Sequence, residues 1–188
     1  MSARDGSQLQ ADLLMNSEVG VDPVAPSEDL RLSVLRSVAG RGAFASYARR
    51  FAEMFDLADA RALELLALAP RSSEAPWEPA RVTSTRTIDG ARLLHFAGGT
   101  RVADADCGLV SIEPGVRFPE HVHEGDEWSL VLSGSAVEDG TGATWLPGDL
   151  VHRTAGSRHA FCASGHEPFV FAVILEDRIR IVGDLDAE

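Results

Sequence analysis

His121 and His123, one residue apart in Phe118-Pro-Glu-His121-Val-His123-Glu-Gly-Asp-Glu127, are the side chains whose types and spacing point most directly to chemistry. In a strand, successive side chains alternate faces, so the two imidazoles project the same way about 6.6 Å apart, near enough to reach one ion. Glu127 has the same parity, yet on a straight strand it lies about 13 Å beyond His123, far outside the ~2 Å ligand distance of a first-row metal. The chain must therefore turn at Glu124-Gly125-Asp126, where Gly tolerates positive φ and short acidic residues accept turn conformations. Residues 127–132 then read as a returning strand, with Glu127, Ser129 and Val131 on one face and Trp128, Leu130 and Leu132 on the other. The second face is too apolar to be left in water, so a second sheet, the helices or another subunit must cover it.

The elements that position these residues change character along the chain. Residues 1–26 combine scattered Ser, Gly, Asp and Pro with few large apolar groups and read as a mobile arm. Ser27 is placed to cap a first helix, with Glu28 and Asp29 in its first turn and Gly40-Arg-Gly42 at its end. Phe44, Tyr47, Ala48, Phe51, Met54 and Phe55 then follow amphipathic spacing. Asp56 with Asp59 marks a further helix containing Leu63, Leu66 and Ala67. This predicts a small helical unit over 27–72, whose aromatic stripe is a core or docking face. Residues 71–79, with Ser residues and Pro76 and Pro79, read as a linker.

From about Arg81 onward short β-like runs dominate: 82–87, 92–96, 108–112, 127–132, 143–146, 150–154, 159–163 and 169–175. Turn signals such as Asp89-Gly90, Gly98-Gly99, Asp139-Gly140 and Pro147-Gly148 separate them. This pattern predicts a mainly β fold, a double-sheet jelly roll or barrel, over residues 73–188.

The spacing Gly115, five residues, His121-x-His123, three residues, Glu127, six residues, Gly134 resembles the first conserved motif of the cupin superfamily. A second cupin motif supplies a further His, and Gly148 followed after five residues by Thr154-Ala-Gly156-Ser-Arg-His159 is similar to it, with Thr154 in the usual place of Pro and Ala163 where Asn is frequent. The resemblance implies a double-stranded β-helix in which His121, His123, Glu127 and His159 bind one divalent ion, with His159 arriving from a later strand across the barrel. Three His and one Glu suit Zn²⁺, Fe²⁺, Mn²⁺ or Ni²⁺. Period-two alternation from His159 sends Phe161 inward and Cys162 outward. His152 is placed either on the pocket or on the surface, and His95 and His166 are read as structural or exposed.

Within the superfamily, the run from Phe118 to Glu127, Val131-Leu132, Asp149, His159 and the preceding helices resembles the ChrR-like cupin domains of zinc-binding anti-sigma factors. That likeness implies zinc, a regulatory or sensing role and a sigma factor partner. The family's N-terminal His-x3-Cys-x2-Cys zinc motif is absent, since no His precedes His95 and no Cys precedes Cys107. The alternative is a metal-dependent cupin enzyme of dioxygenase or isomerase type acting on a small molecule, with His152 and Arg153 as candidate catalytic groups.

Composition narrows these classes. A formal net charge of −12 opposes general nucleic-acid affinity, which draws on clustered positive charge. The six acids and six arginines between residues 28 and 70 leave the helical unit neutral, without electrostatic support for DNA. All 17 basic residues are Arg, which removes catalytic lysine and Schiff-base chemistry. Two distant cysteines, Cys107 and Cys162, and no hydrophobic leader predict a cytoplasmic chain with free thiols. No apolar run is long enough to span a bilayer. The expected partners are therefore a small-molecule ligand at the metal, a sigma factor and, through the apolar strand face, a second copy of the chain.

Overall fold

The computed structural model describes residues 44–73, 76–81 and 87–183. The expected arm over 1–26 and the helix starting at Ser27 lie outside the described residues.

Two short helices open the described chain: α1 (Ala48–Phe55) and α2 (Asp59–Leu66). Eleven strands follow: β1 (Glu78–Arg81), β2 (Thr87–Phe96), β3 (Asp106–Ile112), β4 (Arg117–His123), β5 (Glu127–Ser133), β6 (Ser135–Glu138), β7 (Thr144–Trp145), β8 (Leu150–Arg153), β9 (Arg158–Ser164), β10 (Phe169–Leu175) and β11 (Ile179–Ile181). They form a six-stranded sheet ordered β1-β2-β3-β10-β5-β8 and a five-stranded sheet ordered β11-β4-β9-β6-β7, and the paired strands are antiparallel. The two sheets face each other as the jelly roll that alternating short strands and Gly/Pro turns predict.

Alternation along β3, β5 and β10 divides the apolar side chains between two cores. Val110, Ile112, Val131, Phe169 and Phe171 point between the sheets and meet Ala136, Phe161 and Ala163 from the five-stranded side. Cys107, Leu109, Leu130, Leu132, Val170, Ala172 and Ile174 point the other way and are covered by Phe51, Phe55, Ala62, Leu65 and Leu66 of the two helices. Phe51 and Phe55 close against Phe96 with ring centroids 5.6 and 4.9 Å away, so the helical aromatic stripe is a docking face for the barrel. Leu130 and Leu132 are buried as their apolar face demands, while Trp128, near the end of that face, stays 37% exposed.

Local chemistry explains how α1 is fastened. Asp56 adopts the left-handed conformation (φ 54°) that ends α1, instead of starting α2 as its charge suggested. Its carboxylate accepts from the Arg101 backbone N–H at 3.0 Å and from Arg101 Nε at 3.1 Å, and these bonds hold it below its ordinary pKa. Gly99 N donates to Phe55 O at 2.8 Å, and a Cβ on Gly99 would stand 1.9 Å from Asp56 O, so no larger residue permits this approach. The buried face of α2 is Ala62, Leu65 and Leu66, whereas Leu63 is 40% exposed, because the helix phase sets positions 62, 65 and 66 on one stripe.

Three strands were not foreseen. β1 begins inside the stretch read as a linker; as an edge strand it tolerates Pro79 and pairs with β2 through Glu78↔Leu93 and Pro79↔Arg92. β11 is three residues long, too short for periodicity to register, and β6 offers only one four-residue alternation. Of the run 82–87, residues 82–86 lie outside the described residues and Thr87 begins β2.

Candidate metal centre

β4 and β9 are neighbours, and their register sets His121 directly opposite His159. A bulge between Phe118 and His121 resets the pairing just before this point. His123 lies two residues on, against Ile179 of β11, and the turn before β9 is tied to it: His123 N donates to Ser157 O at 3.0 Å and Gly156 N donates to His123 O at 2.8 Å. All three imidazoles therefore come from one sheet. His159 is a next-strand neighbour, not a ligand from across the barrel as expected. Their ligand nitrogens lie within 4.8 Å of one another, and all three residues are buried, His123 completely.

Glu127 reaches the same space from the opposite sheet. The chain crosses between sheets at 124–126, but Gly125 does not take a positive φ there. Its missing Cβ instead admits the Asp177 backbone, whose N would lie 2.7 Å from such an atom. The Glu127 carboxylate accepts from Ser129 Oγ at 2.9 Å and stands 3.7 Å from His123 Nδ1. It flanks the three-histidine group without belonging to its close cluster.

Burial governs the electrostatics. Desolvation lowers the pKa of His121, and with the repulsion of His121 and Arg153 it brings His123 to about 4 and His159 to about 3. The same desolvation pushes Glu127 up to about 7, against the Ser129 hydrogen bond and the Arg153 charge. The imidazoles are thus neutral near pH 7, the form that ligates metal. His121 Nδ1 lies 2.9 Å from Pro119 O and must donate to it, which leaves Nε2 with its lone pair free. His123 Nε2 and His159 Nε2 approach to 3.0 Å, while the Nδ1 atoms of both are buried without a hydrogen-bond partner. Converging neutral nitrogens with unsatisfied buried atoms fit a borderline divalent ion.

Glu138, which the sequence alone does not single out, stands beside His159 and is held by Arg153, one of the candidate catalytic groups. Glu138, at the end of β6 and 5% exposed, lies 3.4 Å from His159 Nδ1. It accepts from Arg153 Nη2 at 2.5 Å and from Thr141 Oγ1 at 2.6 Å. Arg153 comes from β8 of the other sheet, and its guanidinium lies 5.3 Å from the Trp145 ring centre. The usable signal was the short alternation Ser135-Ala-Val-Glu138 between Gly134 and Gly140.

Beside the histidines the barrel holds a cavity of about 360 Å³. Val110, Phe118, Phe161, Phe171 and Val173 form much of its wall, His121 and Glu127 present polar atoms to it, and Arg81 and Arg178 also line it. His95 lines it too, exposed and bonded to Asp106 at 2.8 Å. His152 is away from it, stacked on Trp128 at 3.8 Å, and His166 is exposed. Cys107 is buried under the helices, where desolvation raises its thiol pKa, and Cys162 is half-buried; both are free.

Residues 108–175 match the cupin domain family. The barrel has the cupin fold. Among solved structures, the chain is similar to an RmlC-like cupin protein from Ralstonia eutropha, at 20% identity and a TM-score of 0.49 over 58% of this chain and 68% of that one. It is also similar to a cupin-superfamily sugar phosphate isomerase from Silicibacter pomeroyi (26%, 0.46, 54% and 71%) and to an acetylacetone dioxygenase from Acinetobacter johnsonii (13%, 0.48, 57% and 72%). No curated protein matches the chain. No helix among the described residues is long and apolar enough to cross a membrane.

Proposed function

We propose that this protein is a divalent-metal-binding cupin of the ChrR-like regulatory or sensing type, in which His121, His123, Glu127 and His159 hold the ion, zinc first among the candidates, and a small, largely apolar molecule is received beside it. The observation that carries this reading is the 360 Å³ cavity that meets His121 and Glu127. A metal that only braces the fold needs a closed donor set, whereas here two of the donors, His121 and Glu127, border a space large enough for a ligand. A bound ion would supply a Lewis-acid position for an oxygen atom of that ligand. The chain itself supplies the apolar wall, the neutral imidazoles and the Glu127 carboxylate, held by Ser129 Oγ at 2.9 Å.

The sensing type draws support from the shared strands. β3, β5 and β10 carry cavity-lining or inner-core residues on one face and the residues under α1 and α2 on the other. A ligand that shifts these strands therefore has a direct path to the helices. The stripe through Phe51 and Phe55 is occupied by the barrel, so a sigma factor would have to use another surface. The enzyme reading rests on the same cavity, where a substrate would lie beside His121 and Glu127.

Protein purified without added metal should contain one divalent ion per chain by elemental analysis. A panel of small apolar oxygen-bearing molecules should then raise the melting temperature of the loaded protein but not of chelator-stripped protein. Protein that purifies metal-free and takes up none of the four candidate ions would defeat the proposal, and oxygen uptake or isomerisation of a panel member would move it to the enzyme class.

A further inference from the structure

We propose that Glu138 is the positioning residue for His159: its carboxylate, clamped by Arg153 and Thr141, holds the proton of that imidazole on Nδ1 and turns Nε2 toward His121 and His123. The inference rests on the metal-site reading above but concerns a residue outside that site's donor set. Glu138 is 5% exposed, and a carboxylate that deep is rarely present without partners. Arg153 Nη2 and Thr141 Oγ1 donate to it at 2.5 and 2.6 Å. These two bonds already satisfy the charge, yet Oε1 also stands 3.4 Å from His159 Nδ1. No hydrogen-bond partner of ordinary geometry serves that Nδ1. Among the groups near it, the carboxylate is the acceptor that a proton on Nδ1 requires.

The neighbouring rings accommodate this tautomer. With the proton of His159 on Nδ1, its Nε2 accepts, so His123 Nε2 must be the donor across the 3.0 Å contact. His121 is set in the same sense by Pro119 O behind its own Nδ1. Glu138 would thus do for His159 through a charged acceptor what a backbone carbonyl does for His121. The clamp also spans the sheets, since β6 and β8 belong to opposite ones. Arg153 has an independent anchor in the Trp145 ring. Outer partners of this kind change metal affinity typically by about 10- to 100-fold when removed.

The test uses the full chain with Glu138→Gln and the double variant Glu138→Leu/Arg153→Leu. The double variant removes the acceptor without leaving an unpaired buried arginine, so it keeps the test decisive if the single variant fails to fold. Two readouts are taken. Nitrogen-15 NMR of the imidazoles in metal-free protein near pH 7.5 reports the tautomer of His159, and competition with a zinc chelator reports affinity. The wild type should show His159 protonated on Nδ1. The double variant should lose that signature and bind zinc about 10- to 100-fold more weakly, with Glu138→Gln between them. A folded double variant that keeps the Nδ1 proton on His159, or binds zinc within about twofold of wild type, would overturn the proposal. Should the wild type bind no metal while its His159 tautomer still depends on Glu138, the metal reading alone falls.

Discussion

On its helix-covered face the six-stranded sheet buries Leu109, Leu130, Leu132 and Ala172 against Phe51, Phe55 and Leu65, together with the small Ser111, which shares the parity of Cys107 and Leu109 along β3. The opposite face of the same strands places Glu127 and Ser129 beside Val131 and Phe171 and borders a 360 Å³ cavity. One face is filled, and the other keeps polar groups and empty volume that cost stability. The contrast argues for a division of labour, in which the helices supply burial that an isolated barrel with such an interior lacks.

The largest effect expected from this division is on the filled side. Phe55→Ala removes a fully buried ring packed on Phe51 and Phe96, and should destabilise the protein by about 3–5 kcal/mol. Urea unfolding measures the loss, and elemental analysis of the folded fraction should show metal content equal to wild type. A drop in metal per folded chain would mean that the two faces are not separable.

Across the cavity, on the five-stranded sheet, the order of effects reverses. His159→Ala should weaken metal binding by more than about 100-fold, beyond the range for residues that only orient ligands, while the metal-free protein loses less stability than Phe55→Ala costs. Chelator competition and urea midpoints on the same preparation decide this. A full metal complement in His159→Ala would remove the second-motif histidine from the site.

That histidine illustrates what could be read before any fold was known. His-x-His parity and motif spacing identify the three imidazoles because strand alternation is local and rigid, and the same alternation separates Val131 from Leu130 correctly. The partner of β4 is a different matter. That β9, and not a strand of the opposite sheet, lies beside it depends on pairings between residues far apart, such as His121↔His159. Glu138 was hidden for a related reason: a lone acid after Ser135-Ala-Val reads as solvated until Arg153 and Thr141 are brought to it. Asp56 was assigned to the wrong helix because an acidic residue suits an N-terminus by charge and a left-handed C-cap by conformation. Its partner Arg101, 45 positions away, decides between them.

Acid should expose the cost of the polar barrel interior. His123 and His159 in the folded protein take up a proton only near pH 4 and 3, against an ordinary value of 6.5, so between those limits the unfolded chain binds more protons. Stability of the metal-free protein is therefore lost as pH falls below about 6.5. His121 is shifted in the same direction. Glu127 opposes them: raised from 4.5 to about 7, it favours the folded state at low pH, and that contribution is lost as pH rises through this window. Between about pH 4.5 and 6.5 the histidines outweigh it, so the net change is a loss on acidification, on the order of 1.4 kcal/mol per pH unit for each net proton. Urea midpoints of chelator-treated protein across this range should fall with pH, and a flat or rising profile would mean that the imidazoles are not desolvated.

The smallest effect should come from His152, the histidine that sequence alone left between pocket and surface. Its ring stacks on Trp128 at 3.8 Å, and its Nε2 meets Asp126 Oδ2 at 2.8 Å. Asp126 in turn accepts from Ala155 N at 2.8 Å, and these bonds lower its pKa. The group therefore ties the turn before β5 to the turn after β8 on the outside of the sheet. It is also partly solvated, and exposed pairs of this kind contribute little because water competes for both partners. His152→Ala should accordingly shift the melting temperature by no more than about 1–2 °C and leave zinc affinity at the wild-type value. A loss of metal in this variant would show that the outer turn contacts control the position of Glu127, one residue after Asp126, and that the filled and open faces communicate through the edge of β5 as well as through its core.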